Sequence, residues 1–102
     1  MLSILLPVYN CNCVALVTEL QRQCTECGTD FEIIVADDCS SVASYIDHNL
    51  RIERLDGVHY ITRKQNVGRS AIRNFLISQA QGEWLLFIDG DLTLDNSHFI
   101  RR

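Results

Sequence analysis

The sequence predicts an α/β fold, a mostly parallel sheet of about four strands with helices on both faces, and three observations predict it. Apolar runs of strand length alternate with stretches of helical periodicity along the whole chain. The runs are apolar throughout rather than at every second residue, as suits parallel strands covered on both faces by crossover helices. Polar clusters end three of the runs, at Tyr9-Asn10, Asp37-Asp38 and Asp89-Gly90-Asp91.

The first run is Ser3-Ile4-Leu5-Leu6-Pro7-Val8. Val14, Leu16, Val17, Leu20 and Cys24 then recur at helical spacing, with Gly28 where a helix should stop. Phe31 to Ala36 is a second strand, and Ser40 or Ser41 is expected to cap a short helix through Tyr45 and Ile46. Val58-His59-Tyr60-Ile61 is a third, shorter strand. Asn66-Val67-Gly68 opens a longer helix whose buried face is Ala71, Ile72, Phe75, Leu76 and Ala80, and Gly82 ends it. Trp84-Leu85-Leu86-Phe87-Ile88 is expected to be a fourth buried strand, and Leu94 to Arg102 the start of another helix. Strand–helix alternation with short links builds a Rossmann-like three-layer sandwich, with right-handed crossovers. Open sheets of this kind bind ligands at the carboxyl ends of the strands, where all three polar clusters fall.

The 102 residues suit one small domain, and 47% apolar against 22% charged residues predicts a packed core rather than disorder. A formal charge of −4 argues against nucleic-acid binding, which needs clustered cations. Arg63, Lys64, Arg69 and Arg73 nevertheless crowd into one stretch that could hold a small anion. Met1 to Val8 is too short to span a bilayer and lacks the pattern of a signal peptide, so the chain reads as cytoplasmic. Five cysteines at irregular spacing are a poor disulfide framework. The Cys11/Cys13 and Cys24/Cys27 pairs invite a zinc site, but about eleven helical residues at ~1.5 Å rise hold them about 16 Å apart. Buried free thiols are the expectation.

Asp89-Gly90-Asp91 is the sharpest chemical signal. Two carboxylates one small residue apart at a strand end offer hard oxygen ligands to Mg²⁺ or Mn²⁺, leaving positions open for phosphate. The competing reading is a simple Asp-Gly turn. For Asp37-Asp38 the alternatives are hydrogen bonds to a nucleoside base or ribose and capping of the next helix. Tyr9 is placed to stack on a base or to pack. Arg69 and Arg73, four apart near a helix N-terminus, either suit a diphosphate or are solvated or paired with acids, the latter being the expectation for Arg63 and Lys64.

Taken together, Ser3 to Asn10, Glu32-Ile33-Ile34-Val35-Ala36-Asp37-Asp38-Cys39-Ser40, Asn66-Val67-Gly68 with Ala71-Ile72-Arg73-Asn74, and Gly82-Glu83-Trp84 leading into Asp89-Gly90-Asp91 resemble family 2 glycosyltransferases of the GT-A fold. The resemblance covers nearly the whole chain in order. It implies that residues 1–102 form the nucleotide-sugar-binding domain of a longer protein, without its acceptor site and catalytic base. Pro7 and Tyr9 would shape the base pocket, Asp37 or Asp38 would bind base or ribose, and Arg69 and Arg73 would lie near the nucleotide. Asp89 would reach ribose or metal-bound water, and Asp91 would ligate Mn²⁺ or Mg²⁺. The implied reaction is metal-assisted transfer of a sugar from a nucleotide-diphosphate sugar, a UDP-sugar by preference, to a carbohydrate or lipid-linked hydroxyl with inversion. Polysaccharide synthesis at the inner face of a membrane is the implied setting, and an exposed sheet edge would favour association of copies. One departure is local: the family more often has Gly where Cys39 stands.

Rival readings fit less of the chain. A non-catalytic regulatory domain of the phosphoacceptor type carries its acidic pair after the first strand, where this chain has Tyr9-Asn10. A nucleotidyltransferase would show a glycine-rich loop there, and Cys11-Asn12-Cys13 is not one. An assembly subunit with a degenerate site predicts no nucleotide binding at all.

Overall fold

The computed structural model describes residues 1–10, 12–28, 30–41, 43–65 and 68–88. The elements run β1 (Leu2–Val8), α1 (Val14–Glu26), β2 (Phe31–Asp37), α2 (Ala43–Asn49), a 3-10 helix (Leu50–Arg54), β3 (Val58–Thr62), α3 (Arg69–Gln79) and β4 (Trp84–Phe87). The strands form one parallel sheet in the order β3-β2-β1-β4. This is the predicted α/β architecture, matched in type and order through β4; the helix expected from Leu94 to Arg102 lies outside the described residues. The 3-10 helix was not anticipated; Ile52, its one buried residue, plugs the core under β3.

The two faces of the sheet explain why the strand runs lack alternation. Ile4, Leu6, Val8, Ile33 and Val35 point to one side, where they pack with Leu16, Val17, Leu20 and Cys24 of α1 and with Ile52. Leu5, Ile34 and Ala36 point to the other side and meet Ile72 and Leu76 of α3. With side chains alternating at every residue, a strand covered on both faces must be apolar at every position. Each fully buried Leu or Ile contributes about 1.5–3 kcal/mol. The chain steps from β1 to β2 to β3 in one direction and returns through α3 to the far side of β1, so helices of opposite travel cover opposite faces.

Two exceptions to the apolar pattern anchor the amino end of the sheet. Ser3 is fully buried within β1, and its hydroxyl donates to Glu32 on the neighbouring strand at 2.6 Å. The Gln81 backbone N–H also donates to Glu32 at 2.6 Å, and the Gly82 N–H donates to Ser3 Oγ at 2.9 Å. Gly82 is there because a Cβ would lie 2.5 Å from Ser3 Oγ and 2.7 Å from the Met1 carbonyl oxygen. At the end of α1, Gly28 takes φ +66°, the left-handed conformation that stops a helix.

Three expectations need correction. Neither Ser40 nor Ser41 caps α2, because both side chains are engaged in the loop itself, as described below, and the helix starts at Ala43. The third helix starts at Arg69, with Gly68 at its N-cap, rather than at Asn66. β4 is not a buried strand: Trp84 is 71% and Leu85 44% exposed, because among the described residues β4 lies at the edge of the sheet with β1 as its one strand neighbour. Its carboxyl half is better covered, with Leu86 packed against the α1-side core and Phe87 against the α3-side core. No helix among the described residues is long and apolar enough to cross a membrane.

Candidate functional site

The direction of chain travel reverses at β1. The β1–α1 loop leaves to one face and the chain entering β4 comes from the other, which opens a crevice at the carboxyl ends of β1 and β4. The strand ends are level with one another: Val8 lies opposite Asp37, and Asp37 opposite Thr62. The ladder continues past them, the Asp38 N–H donating to the Val8 carbonyl at 2.9 Å and the Arg63 N–H to the Asp37 carbonyl at 2.9 Å. On the other side of β1, the Ile88 N–H donates to the Leu5 carbonyl at 3.1 Å, which sets the last described residue beside the middle of β1, with β4 running toward the crevice.

Tyr9, just past β1, is 49% exposed at this edge, and Pro7 is half-buried within the strand. The two aspartates divide their tasks. Asp37 is fully buried: its Oδ1 accepts from the Ser40 N–H at 2.6 Å, and its Oδ2 accepts from the Ser40 hydroxyl at 2.7 Å and the Tyr60 hydroxyl at 3.0 Å. Both oxygens are taken by the chain's own donors, in the Asp-to-i+3 pattern of a tight turn. Asp38 retains a little surface, 6%, and its Oδ2 accepts from the Gly68 N–H at the head of α3 at 3.0 Å. It therefore ties the β2 loop to the start of the helix that carries the arginines.

Arg69 is the first residue of α3, and its side chain lies outside the described part of the structure. Arg73 is exposed, with its guanidinium 4.3 Å from the centroid of the Phe87 ring at the end of β4. Arg63 likewise lies 3.9 Å above the Phe75 ring, a cation–π contact in place of the expected solvated or acid-paired state. Asp89 and Asp91 lie outside the described residues. Among the described residues no group of three or more His, Cys, Asp or Glu is arranged to hold a metal ion.

Residues to which the sequence assigned no individual role hold the site together. Asn10, at φ +49°, donates its backbone N–H to Ser40 Oγ at 2.9 Å and exchanges side-chain bonds with Ser41. An Asn closing a strand tolerates the left-handed region and bonds locally, and that is the one signal that could have marked it. Asn49, fully buried at the end of α2, accepts from the Cys13 N–H at 3.0 Å. Tyr60 had no such signal, since its partner Asp37 is remote in sequence. Burial first, and then the Asp37 carboxylate, push the Tyr60 phenol well above its ordinary pKa.

Among the described residues four cysteines are in no disulfide, with Cys13 and Cys24 buried at opposite ends of α1. Burial, and then the neighbouring Cys27, push the Cys24 thiol up to about 11, the reverse of an activated nucleophile. A hollow of about 470 Å³ lies elsewhere, along β3, lined by Glu32, Glu53, His59 and Gln79 among others. It is away from the β1–β4 crevice and gathers none of the predicted site residues.

The family model for glycosyl transferase family 2 matches residues 3–101, nearly the whole chain. The chain belongs to glycosyl transferase family 2. An uncharacterised glycosyltransferase of Haemophilus influenzae is 33% identical over 93 residues, covering 89% of this chain and 29% of the relative. The poly(ribitol-phosphate) beta-N-acetylglucosaminyltransferase TarS of Staphylococcus aureus is 32% identical over 99 residues, covering 87% of this chain and 16% of its own length. A crystal structure of S. aureus TarS 1-349 in complex with UDP-GlcNAc superimposes with a TM-score of 0.71 at 28% identity, over 88% of this chain and 26% of the other. The chain thus spans less than a third of the length of these relatives. This family 2 domain has the GT-A type of α/β fold, as the sequence resemblance implied.

Proposed function

We propose that this family 2 domain binds a nucleotide-diphosphate sugar in the crevice between the ends of β1 and β4, as the donor half of an inverting glycosyltransferase. The observation that carries the reading is the reversal of strand order at β1, with Tyr9, Asp38 and the head of α3 gathered at the same edge. Similarity to a structure that holds UDP-GlcNAc supports a UDP-sugar as donor.

Each residue then has a distinct task. Tyr9, half-exposed beside the crevice, stacks on the base. Asp38 is the better candidate of the two aspartates for accepting hydrogen bonds from base or ribose, because Asp37 is sealed by Ser40 and Tyr60. Pro7 stiffens the pocket floor. Arg69 and Arg73, on the first turns of α3, neutralise the diphosphate, with Arg73 braced by Phe87. Asp89 and Asp91 follow in sequence from Ile88, which is bonded to β1 at Leu5 on a strand that runs toward the crevice. As oxygen donors one residue apart, they fit Mg²⁺ or Mn²⁺. Such an ion, when bound, supplies positive charge to the nucleoside diphosphate leaving group. The acceptor hydroxyl, from a carbohydrate or lipid-linked glycan, attacks the anomeric carbon opposite that leaving group and so inverts it. The base that takes its proton is not assigned to any residue of this chain.

The test is a nitrogen–proton NMR titration with UDP and Mg²⁺. The reading expects the Tyr9, Asn10, Asp38 and Gly68 amides to shift together. Shifts confined to the hollow beside Glu32, His59 and Gln79 would place the ligand elsewhere and refute it.

A further inference from the structure

We infer that Tyr60, buried in the middle of β3, is a positioning residue that holds both ends of the β1–α1 loop and so sets the placement of Tyr9 at the crevice.

Tyr60 is 6% exposed and lies opposite Val35 in the sheet, two residues before the end of its strand. One arm from its hydroxyl runs to the start of the loop. The hydroxyl donates to Asp37 Oδ2 at 3.0 Å, the same oxygen accepts from the Ser40 hydroxyl at 2.7 Å, and Ser40 Oγ accepts from the Asn10 N–H at 2.9 Å. A second arm runs to the end of the loop. The Asn49 side chain acts on the Tyr60 hydroxyl as a polar neighbour that favours its ionised form, and Asn49 Oδ1 accepts from the Cys13 N–H at 3.0 Å, at the N-cap of α1. The loop is therefore gripped at Asn10 and at Cys13 by two chains that meet at one phenol oxygen.

The local geometry needs such a grip. Asn10 takes φ +49° and Cys39, in the facing loop, φ +61°, left-handed conformations that a Cβ disfavours. They persist where surrounding bonds over-determine them. Buried bonds polarise one another in a low-dielectric interior, so removing one hydroxyl loosens both arms at once. Tyr60 reaches the loop through Asp37, Ser40 and Asn49, and its consequence for binding rests on the nucleotide-site reading above.

The test is Tyr60→Phe, which removes the hydroxyl alone, with Ile52→Val as a control that weakens the same core without touching the network. Amide hydrogen exchange should quicken at Asn10 and Cys13 in Tyr60→Phe, stay at wild-type rates at Leu5 and Leu6 in mid-strand, and change at neither loop position in Ile52→Val. UDP affinity should fall about fivefold or more in Tyr60→Phe and hold in Ile52→Val. Unchanged exchange at Asn10 and Cys13 in a folded Tyr60→Phe protein would overturn the inference, as would unchanged UDP affinity in a protein whose wild type binds UDP. A wild type that binds no UDP would refute the nucleotide reading alone, and the exchange rates would still decide whether Tyr60 grips the loop.

Discussion

Asn10 and Ser41 join the loops after β1 and β2 by a reciprocal pair of hydrogen bonds: Asn10 Nδ2 donates to Ser41 Oγ at 3.0 Å, and the Ser41 N–H donates to Asn10 Oδ1 at 2.9 Å. The pair forms because Asn10 turns left-handed at the strand end, which aims its amide across the gap. Asn10→Ala loses both bonds and leaves a Cβ at positive φ, so it should cost about 2 kcal/mol in urea unfolding. Asn10→Gly loses the same bonds without the backbone strain and should cost about 1 kcal/mol less. Equal losses for the two variants would show that the turn is not strained.

Cys39→Gly should stabilise the domain. Cys39 sits at φ +61°, and its side chain makes a single weak contact, Sγ to the Lys64 carbonyl oxygen at 3.5 Å. Relief of left-handed strain outweighs the added freedom of glycine in the unfolded chain by up to about 1 kcal/mol. A lower midpoint in urea for Cys39→Gly would mean that the thiol contact contributes more than the strain removes.

The sheet was legible because two-sided burial writes itself as continuous apolar runs, as in Leu5 and Leu6, which face opposite cores. β4 was misread for the same reason. Its composition matches a central strand, but burial depends on what lies beyond it, and Trp84 and Leu85 are exposed at the edge of the sheet that the described residues form. In the site, acids at strand ends were visible as residue types, but their tasks were not. The partners that seal Asp37 include Tyr60, which the fold alone brings near. Short-range bonds such as Asp37 to Ser40 leave a spacing in the sequence, whereas those between strands leave none.

Gly82→Ala should be among the more damaging single-methyl additions. The new Cβ would lie 2.5 Å from Ser3 Oγ and 2.7 Å from the Met1 carbonyl oxygen, and Ser3 is held by its bond to Glu32. Overpacking of this kind costs about 1–3 kcal/mol and should appear as a lower melting temperature. An unchanged melt would show that the first residues of β1 shift freely.

Alkali should weaken the fold. The Cys24 thiol is pushed up to about 11 from an ordinary 9, and the Tyr60 phenol is also raised, in both cases by burial first. A group whose folded pKa is raised holds its proton while the unfolded chain loses it, so stability falls as pH rises through the window between the two values. For Cys24 the contribution is complete below about pH 9 and is lost as pH rises through about 11. Urea midpoints should therefore hold steady to pH 9 and fall above it, with a shallower fall in Cys24→Ala measured against its own neutral-pH midpoint.

The central claim is that the β1–β4 crevice binds a nucleoside diphosphate with help from the carboxylates that follow β4. Calorimetric titration of the folded chain with UDP and with GDP, each with and without Mn²⁺, tests it most directly when repeated on Asp91→Ala. The account predicts binding of UDP in preference to GDP, strengthened by Mn²⁺, with the metal-dependent part lost in Asp91→Ala. A cooperatively folded wild type that binds neither nucleotide, or an Asp91→Ala protein with undiminished Mn²⁺-dependent binding, would contradict it.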